Sequence, residues 1–150
     1  FVVPTDLIKE DVGNILGLDG RKMSKSYNNT IPLFCTEAEL KKYIAGIKTD
    51  SSLPTEPKST DHAIFTLYKL FASTPEQKAF AQRFAKGISW ADAKAELFRA
   101  MNAYLSPMRE KYNYYKQNYH LVEEILAKGS EKARKTAKET IKRARENVGL

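Results

Sequence analysis

The sequence predicts a mainly α protein: a helical bundle preceded by a short non-helical piece that belongs to another fold. Three observations carry this reading. From residue 36 onward apolar residues recur at helical spacing, capping signals open and close those runs, and strand signal is confined to "FVV" and "DVGNIL" near the start. At 150 residues, with 42% hydrophobic and 29% charged residues, the chain is about one domain's worth and can bury a real core.

The elements follow in order. Thr36 precedes "EAELKKYIAGI" with Glu39 three residues on, a capping box that opens a first helix with Leu40, Tyr43, Ile44 and Ile47 on one face. Residues 51–60, "SSLPTEPKST", carry two prolines and five hydroxyl residues and read as a linker. Ile64, Leu67, Tyr68 and Phe71 mark a second amphipathic helix. Thr74-Pro75-Glu76-Gln77 starts a third, with proline in the first turn where its missing N–H costs nothing, and Gly87 closes it. Ser89 with Asp92 opens a long fourth helix whose face is Leu97, Met101, Tyr104, Leu105 and Met108. Pro107 is expected to kink it, and it is expected to run through "REKYNYYKQNY" to about Leu126. Gly129 should end that helix and Ser130 cap the last one. In that last helix Ala133, Ala137, Ile141, Ala144 and Val148 line a face suited to packing on the bundle.

Composition excludes several classes. No apolar run approaches the roughly 20 residues needed to cross a bilayer, and no signal-peptide pattern opens the chain. Cys35 is the only cysteine, so an internal disulfide or a thiolate metal site is impossible, and a reducing cytoplasm is the expected location. The start at "FVVPTDLIKE", without methionine, is expected of a piece of a longer protein. The net charge of +7 is concentrated late: Lys128 to Leu150 hold eight basic residues against three acidic ones. A balance of this kind favours a polyanionic partner, nucleic acid above all.

One stretch does not belong to the helical pattern. In "GLDGRKMSKSYNNTIPLF", residues 17–34, two lysines three residues apart sit among serines, glycines and asparagines. A Walker loop is not present, because Gly20 is followed by Arg21 and Lys22 by Met23. The only histidines, His62 and His120, lie in separate helices without nearby cysteines, so no metal site is expected. No base lies close enough in sequence to activate a serine. Charge alone would equally suit a solvated basic turn.

The five residues "KMSKS", Lys22 to Ser26, resemble the second signature of the class I aminoacyl-tRNA synthetases. The flanks narrow the likeness. The whole loop, "PTEPKSTDHAIFTLYKLFA", "LSPMREKY" and "ILAKGSEKARKTAKETIKRARENVGL" resemble the C-terminal half of the bacterial tryptophanyl branch, from about Thr5 onward. The resemblance implies residues 1–34 as the end of a Rossmann-type catalytic domain and 35–150 as a helical, anticodon-binding-type domain. It implies an ATP-dependent ligase that activates L-tryptophan with magnesium-bound ATP and transfers it to tRNA(Trp), with a homodimer expected and neither membrane nor DNA as partner. Lys22 and Lys25 would be catalytic, contacting the phosphates. Val12, Met23, Ser24 and Ser26 would complete the ATP site, Met23 by seating the loop and Val12 by bordering the adenine. Gly17 and Gly20 would let the loop swing. The first class I signature and its nucleotide-binding sheet are absent, so this piece alone is expected to be inactive. Residues 1 to about 30, deprived of packing partners, are expected to be mobile.

For RNA there are two candidate surfaces. Lys135, Lys138, Lys142 and Arg145 line one face of the last helix, either a phosphate-tracking stripe or a solvated face. Tyr112, Tyr115 and Tyr119 continue the core face by spacing, which leaves Tyr114 as the base-stacking candidate. Lys48, Thr49 and Asp50, at the expected end of the first helix, could meet a base edge. Two other readings are compatible with the residues. One is a tyrosyl-type synthetase, expected to carry a further RNA-binding module where this chain ends at "ENVGL". The other is a non-catalytic helical RNA-binding module.

Overall fold

Thr36 does what its spacing requires. Its hydroxyl accepts from the Glu39 amide at 3.2 Å and the Glu39 carboxylate accepts from the Thr36 amide at 2.8 Å, which starts helix α1, Glu37–Ala45. A computed structural model describes residues 2–8 and 13–150. Among these there is no strand, only an isolated antiparallel bridge between Leu16 and Lys22, so Val2 and Val3 of the expected "FVV" strand do not form one, while Phe1 lies outside the described residues. Four more helices follow: α2 at Ala63–Lys69, α3 at Thr74–Lys86, α4 at Trp90–Gln117 and α5 at Tyr119–Asn147. The chain divides into two packed units, Phe1–Arg109 and Glu110–Leu150, with the division inside α4.

In the first unit α2 and α3 meet through aromatic rings. Phe65 stacks on Phe80 at 5.7 Å and meets Phe84 edge-on at 5.2 Å, while Tyr68 lies 4.3 Å from Phe80. Leu40 and Ile44 of α1 and Leu97, Met101 and Leu105 of α4 close the core. The expected opening of α4 by Ser89 on the Asp92 amide is present, and α3 starts at Thr74 as expected, with Glu76 on the Ser73 amide as a cap the sequence reading did not name. His62 caps α2 with Nδ1, which accepts from the Ile64 amide at 3.2 Å; burial lowers its pKa, consistent with a neutral ring that can accept.

Residues 51–60 are pinned to the bundle. Lys58 is buried: its ammonium donates to the carbonyls of Leu53 and Glu56 and sits 5.1 Å from the Trp90 ring centroid, and its amide donates to Phe84. Gly87 ends α3 at φ +100°, where a Cβ would lie 2.6 Å from the Thr55 carbonyl carbon. We therefore expect Gly87→Ala to cost about 2–4 kcal/mol, combining left-handed strain with overpacking, as a lower thermal unfolding midpoint.

Four expectations change. Helix α1 stops at Ala45, so Lys48–Asp50 lie in the connection beyond Gly46. The long fourth helix ends at Gln117 instead of near Leu126: Asn118 leaves the helical dihedrals at φ −119° and ψ 56°, while its backbone amide and its side-chain amide both donate to the Tyr114 carbonyl. Helix α5 then runs unbroken through Gly129 and Ser130; its glycine faces open space, where the residue costs only about 1 kcal/mol. Finally, Tyr112, Tyr115 and Tyr119 are not core residues. They are 44%, 40% and 63% exposed and, with Val122, Ile125 and Leu126, border an open groove of about 470 Å³ in the second unit. No residue of α5 is buried, and Ile141 and Val148 of its apolar face are exposed. Helix α4 continues through Pro107, and across that turn Arg109 donates to Asn102.

Candidate functional site

The signature loop begins with its own small scaffold. Ile15, Leu16, Leu18 and Met23 are half-buried against the core of the first unit. The Met23 amide donates to the Ile15 carbonyl at 2.7 Å and the Lys48 amide donates to Leu18 at 2.8 Å. Residues 15–31 thus have the packing partners whose absence was the reason to expect mobility. Met23 is packed on the core between the two exposed lysines.

Beyond Met23 the chain makes a 3-10 turn over Lys25–Tyr27. The Ser24 hydroxyl caps it by accepting from the Ser26 amide at 3.2 Å, and Asn28 closes it in the left-handed region at φ 50°. Lys22 and Lys25 are exposed, and neither forms an ion pair among the described residues. The turn holds their backbone while leaving two ammonium groups on flexible stems facing water. Ser26 is exposed beside them. Val12 lies outside the described residues.

Underneath sits Asn29, only 2% exposed, which spacing did not single out. Its Oδ1 accepts from the Ser24 amide at 2.8 Å, and its Nδ2 donates to Asp19 Oδ1 at 2.7 Å and the Lys22 carbonyl at 3.2 Å. Asn29 and then Arg21 hold the Asp19 carboxyl at about 2, against burial, which pulls the other way. Gly17 is no hinge: it is buried, and a Cβ there would stand 2.5 Å from the Asn29 amide group. Gly20, at φ +81° with open space around it, makes the turn between Asp19 and Arg21. A polar residue wedged between a loop and the first apolar residue, Ile31, was the available signal for Asn29.

The RNA candidates divide between the units. Asp50 is occupied: hydrogen bonds from Ser52 and Trp90 hold its carboxyl at about 2, and Trp90 Nε1 donates to it at 3.0 Å. Lys48 is exposed and Thr49 half-buried. In the second unit, Lys135, Lys138, Lys142 and Arg145 are exposed along α5, with only Lys142 near an acid, Glu146 at 3.8 Å. Tyr114 is 54% exposed and meets Tyr115 edge-on at 5.5 Å. Among the described residues no helix is long and apolar enough to cross a membrane, and no cluster of His, Cys, Asp and Glu could hold a metal ion.

Comparisons with known proteins agree on one family. The model of tRNA synthetases class I (W and Y) matches residues 3–106. The tryptophan–tRNA ligase of Xylella fastidiosa (strain 9a5c) is 45% identical over the whole chain, which covers 35% of that protein. The tryptophan–tRNA ligase of Pseudomonas aeruginosa is 46% identical over the whole chain, covering 34% of it. The chain thus spans about a third of the length of these curated relatives, aligned with their C-terminal part. A crystal structure of tryptophanyl-tRNA synthetase from Campylobacter jejuni complexed with ADP and tryptophan superposes with a TM-score of 0.81 at 41% identity, over 95% of this chain and 45% of that one.

Proposed function

The chain belongs to the class I tRNA synthetases of the tryptophan and tyrosine type, and from that premise we propose that it is part of a tryptophan–tRNA ligase. In this reading residues 1–34 supply the phosphate-binding loop of the catalytic domain and residues 35–150 the helices that engage tRNA. The substrates are L-tryptophan, magnesium-bound ATP and tRNA(Trp), and the whole enzyme works as a cytoplasmic homodimer. The observation that carries the reading is the Lys22–Ser26 loop, whose locked backbone displays two ammonium groups that form no ion pair among the described residues.

The chemistry needs such a loop. When the tryptophan carboxylate attacks the α-phosphorus of ATP, negative charge builds on the departing pyrophosphate. Lys22 and Lys25 stabilise that charge as compact cations able to follow a moving leaving group. Ser24 serves chiefly as the cap that sets the turn, since its hydroxyl already accepts from Ser26. The Ser26 hydroxyl is exposed and can add a donor. Charging assays on the full-length protein, with labelled tryptophan and tyrosine offered separately, test the reading. Tryptophan alone should appear on tRNA; transfer of tyrosine instead would assign the chain to the other branch.

For tRNA, the exposed stripe on α5 is proposed to track phosphates. Replacing Lys135, Lys138, Lys142 and Arg145 with glutamine should weaken tRNA binding and lower its log–log salt slope by roughly 0.7–0.9 per lost contact. Discrimination against an altered anticodon should survive, because phosphate contacts position while base contacts specify. Filter binding across salt concentrations reads both. An unchanged slope would leave the stripe a solvated face and turn attention to Lys48, Thr49, Asp50 and Tyr114.

A further inference from the structure

We infer that Asn29 is a positioning residue: it locks the backbone on both sides of Met23, so that Lys22 and Lys25 are presented to the substrate as one preformed unit. The inference rests on the phosphate-loop reading above and adds to it a residue outside the signature.

The argument starts from the amide's partners. One carboxamide has one acceptor and two donors, and here Oδ1 serves the Ser24 amide while Nδ2 serves both Asp19 and the Lys22 carbonyl. An ionised carboxylate can only accept, so Asp19 dictates which end of the amide faces it and thereby which end faces Ser24. The Asn29 carbonyl also accepts from the Leu18 amide at 3.0 Å, tying the same residue to the other edge of the loop. At 2% exposure, Asn29 leaves little room for water to replace it. From Asn29 the order passes to Ser24, from the Ser24 hydroxyl to the Ser26 amide, and so to the turn that carries Lys25. Gly17 passes directly over this amide, where a Cβ would stand 2.5 Å from it.

Two like charges held on a locked backbone need not be gathered during the reaction. Losing that preorganisation is therefore expected to slow the chemical step more than it weakens binding. A misplacement of about 1 Å can cost about 100-fold in rate.

The test uses the full-length protein with Asn29→Ala and Asn29→Asp. Both should lower kcat for tryptophan activation by about 100-fold with KM for tryptophan unchanged. Asn29→Asp keeps an acceptor for Ser24 but sets a second carboxylate against Asp19. When the pair takes up one proton, an O–H donor between residue 29 and Asp19 returns and relieves their repulsion, while the bond to the Lys22 carbonyl stays lost. Its activity relative to wild type should therefore rise as pH is lowered from about 8 to about 6, whereas that of Asn29→Ala should not. A folded Asn29→Ala enzyme with wild-type kcat, or an Asn29→Asp deficit that ignores pH, would overturn the inference. Amide hydrogen exchange at Ser24 in the 150-residue chain provides a readout independent of activity. It should accelerate in Asn29→Ala, and unchanged protection would also overturn the inference. If the wild-type protein fails to activate tryptophan, the ligase reading fails, while the exchange result still reports on the lock.

Discussion

Replacing Lys25 with alanine in the full-length protein is expected to slow formation of tryptophanyl adenylate by about 100- to 1,000-fold, with tryptophan binding nearly intact. That corresponds to about 2.7–4 kcal/mol of transition-state stabilisation. The reason for a rate effect is timing. Charge on the pyrophosphate is greatest as the bond to the α-phosphorus breaks, so a cation acting there contributes more to the transition state than to the ground state. The structure gives the substitution a clean context: Lys25 is exposed, forms no ion pair among the described residues, and its turn is capped by Ser24 instead of by its own side chain. Single-turnover adenylate formation measures it, and a wild-type rate would remove Lys25 from the chemistry.

The second large effect concerns the fold that carries the loop. Phe84 has no exposed surface, and its ring meets Phe65, Phe80 and Trp90 at 5.2, 4.8 and 6.2 Å. Its carbonyl also receives the Lys58 amide, which anchors residues 51–60. Phe84→Ala should cost about 3–5 kcal/mol, because the lost transfer energy is joined by a cavity that surrounding rings cannot close. Against a total stability of about 5–15 kcal/mol this brings the domain close to unfolding. Urea denaturation gives the value; a loss below about 1 kcal/mol would mean that the rings repack freely.

The starts of α1, α3 and α4 are written locally. Thr36 with Glu39, Ser73 with Glu76 and Ser89 with Asp92 are caps whose partners lie three residues away. The boundary between α4 and α5 depended on a closer balance. Gly129 looked like a stop and is tolerated on an open surface, while α4 stops where the Asn118 backbone leaves the helical region. The tyrosines followed a helical period that matched a buried face, yet period reports only that residues share a side, and what covers that side is a tertiary matter.

The site divides the same way. The signature loop could be singled out from five consecutive residues, Lys22 to Ser26, because the chemistry proposed for it rests on their identities. Asn29 was not, since its importance comes from Asp19, Lys22 and Ser24 converging on one buried amide across as many as ten positions of chain. Gly17, read as freedom to move, turned out to be space for that amide.

The central claim is that this loop serves the phosphates of ATP during tryptophan activation. Exchange of labelled pyrophosphate into ATP by the full-length protein tests it most directly, because exchange requires the adenylate to form and revert on the enzyme. Exchange should depend on tryptophan, find no support from tyrosine, and collapse in Lys25→Ala. Tryptophan-dependent exchange that is undiminished in both Lys22→Ala and Lys25→Ala would contradict that claim.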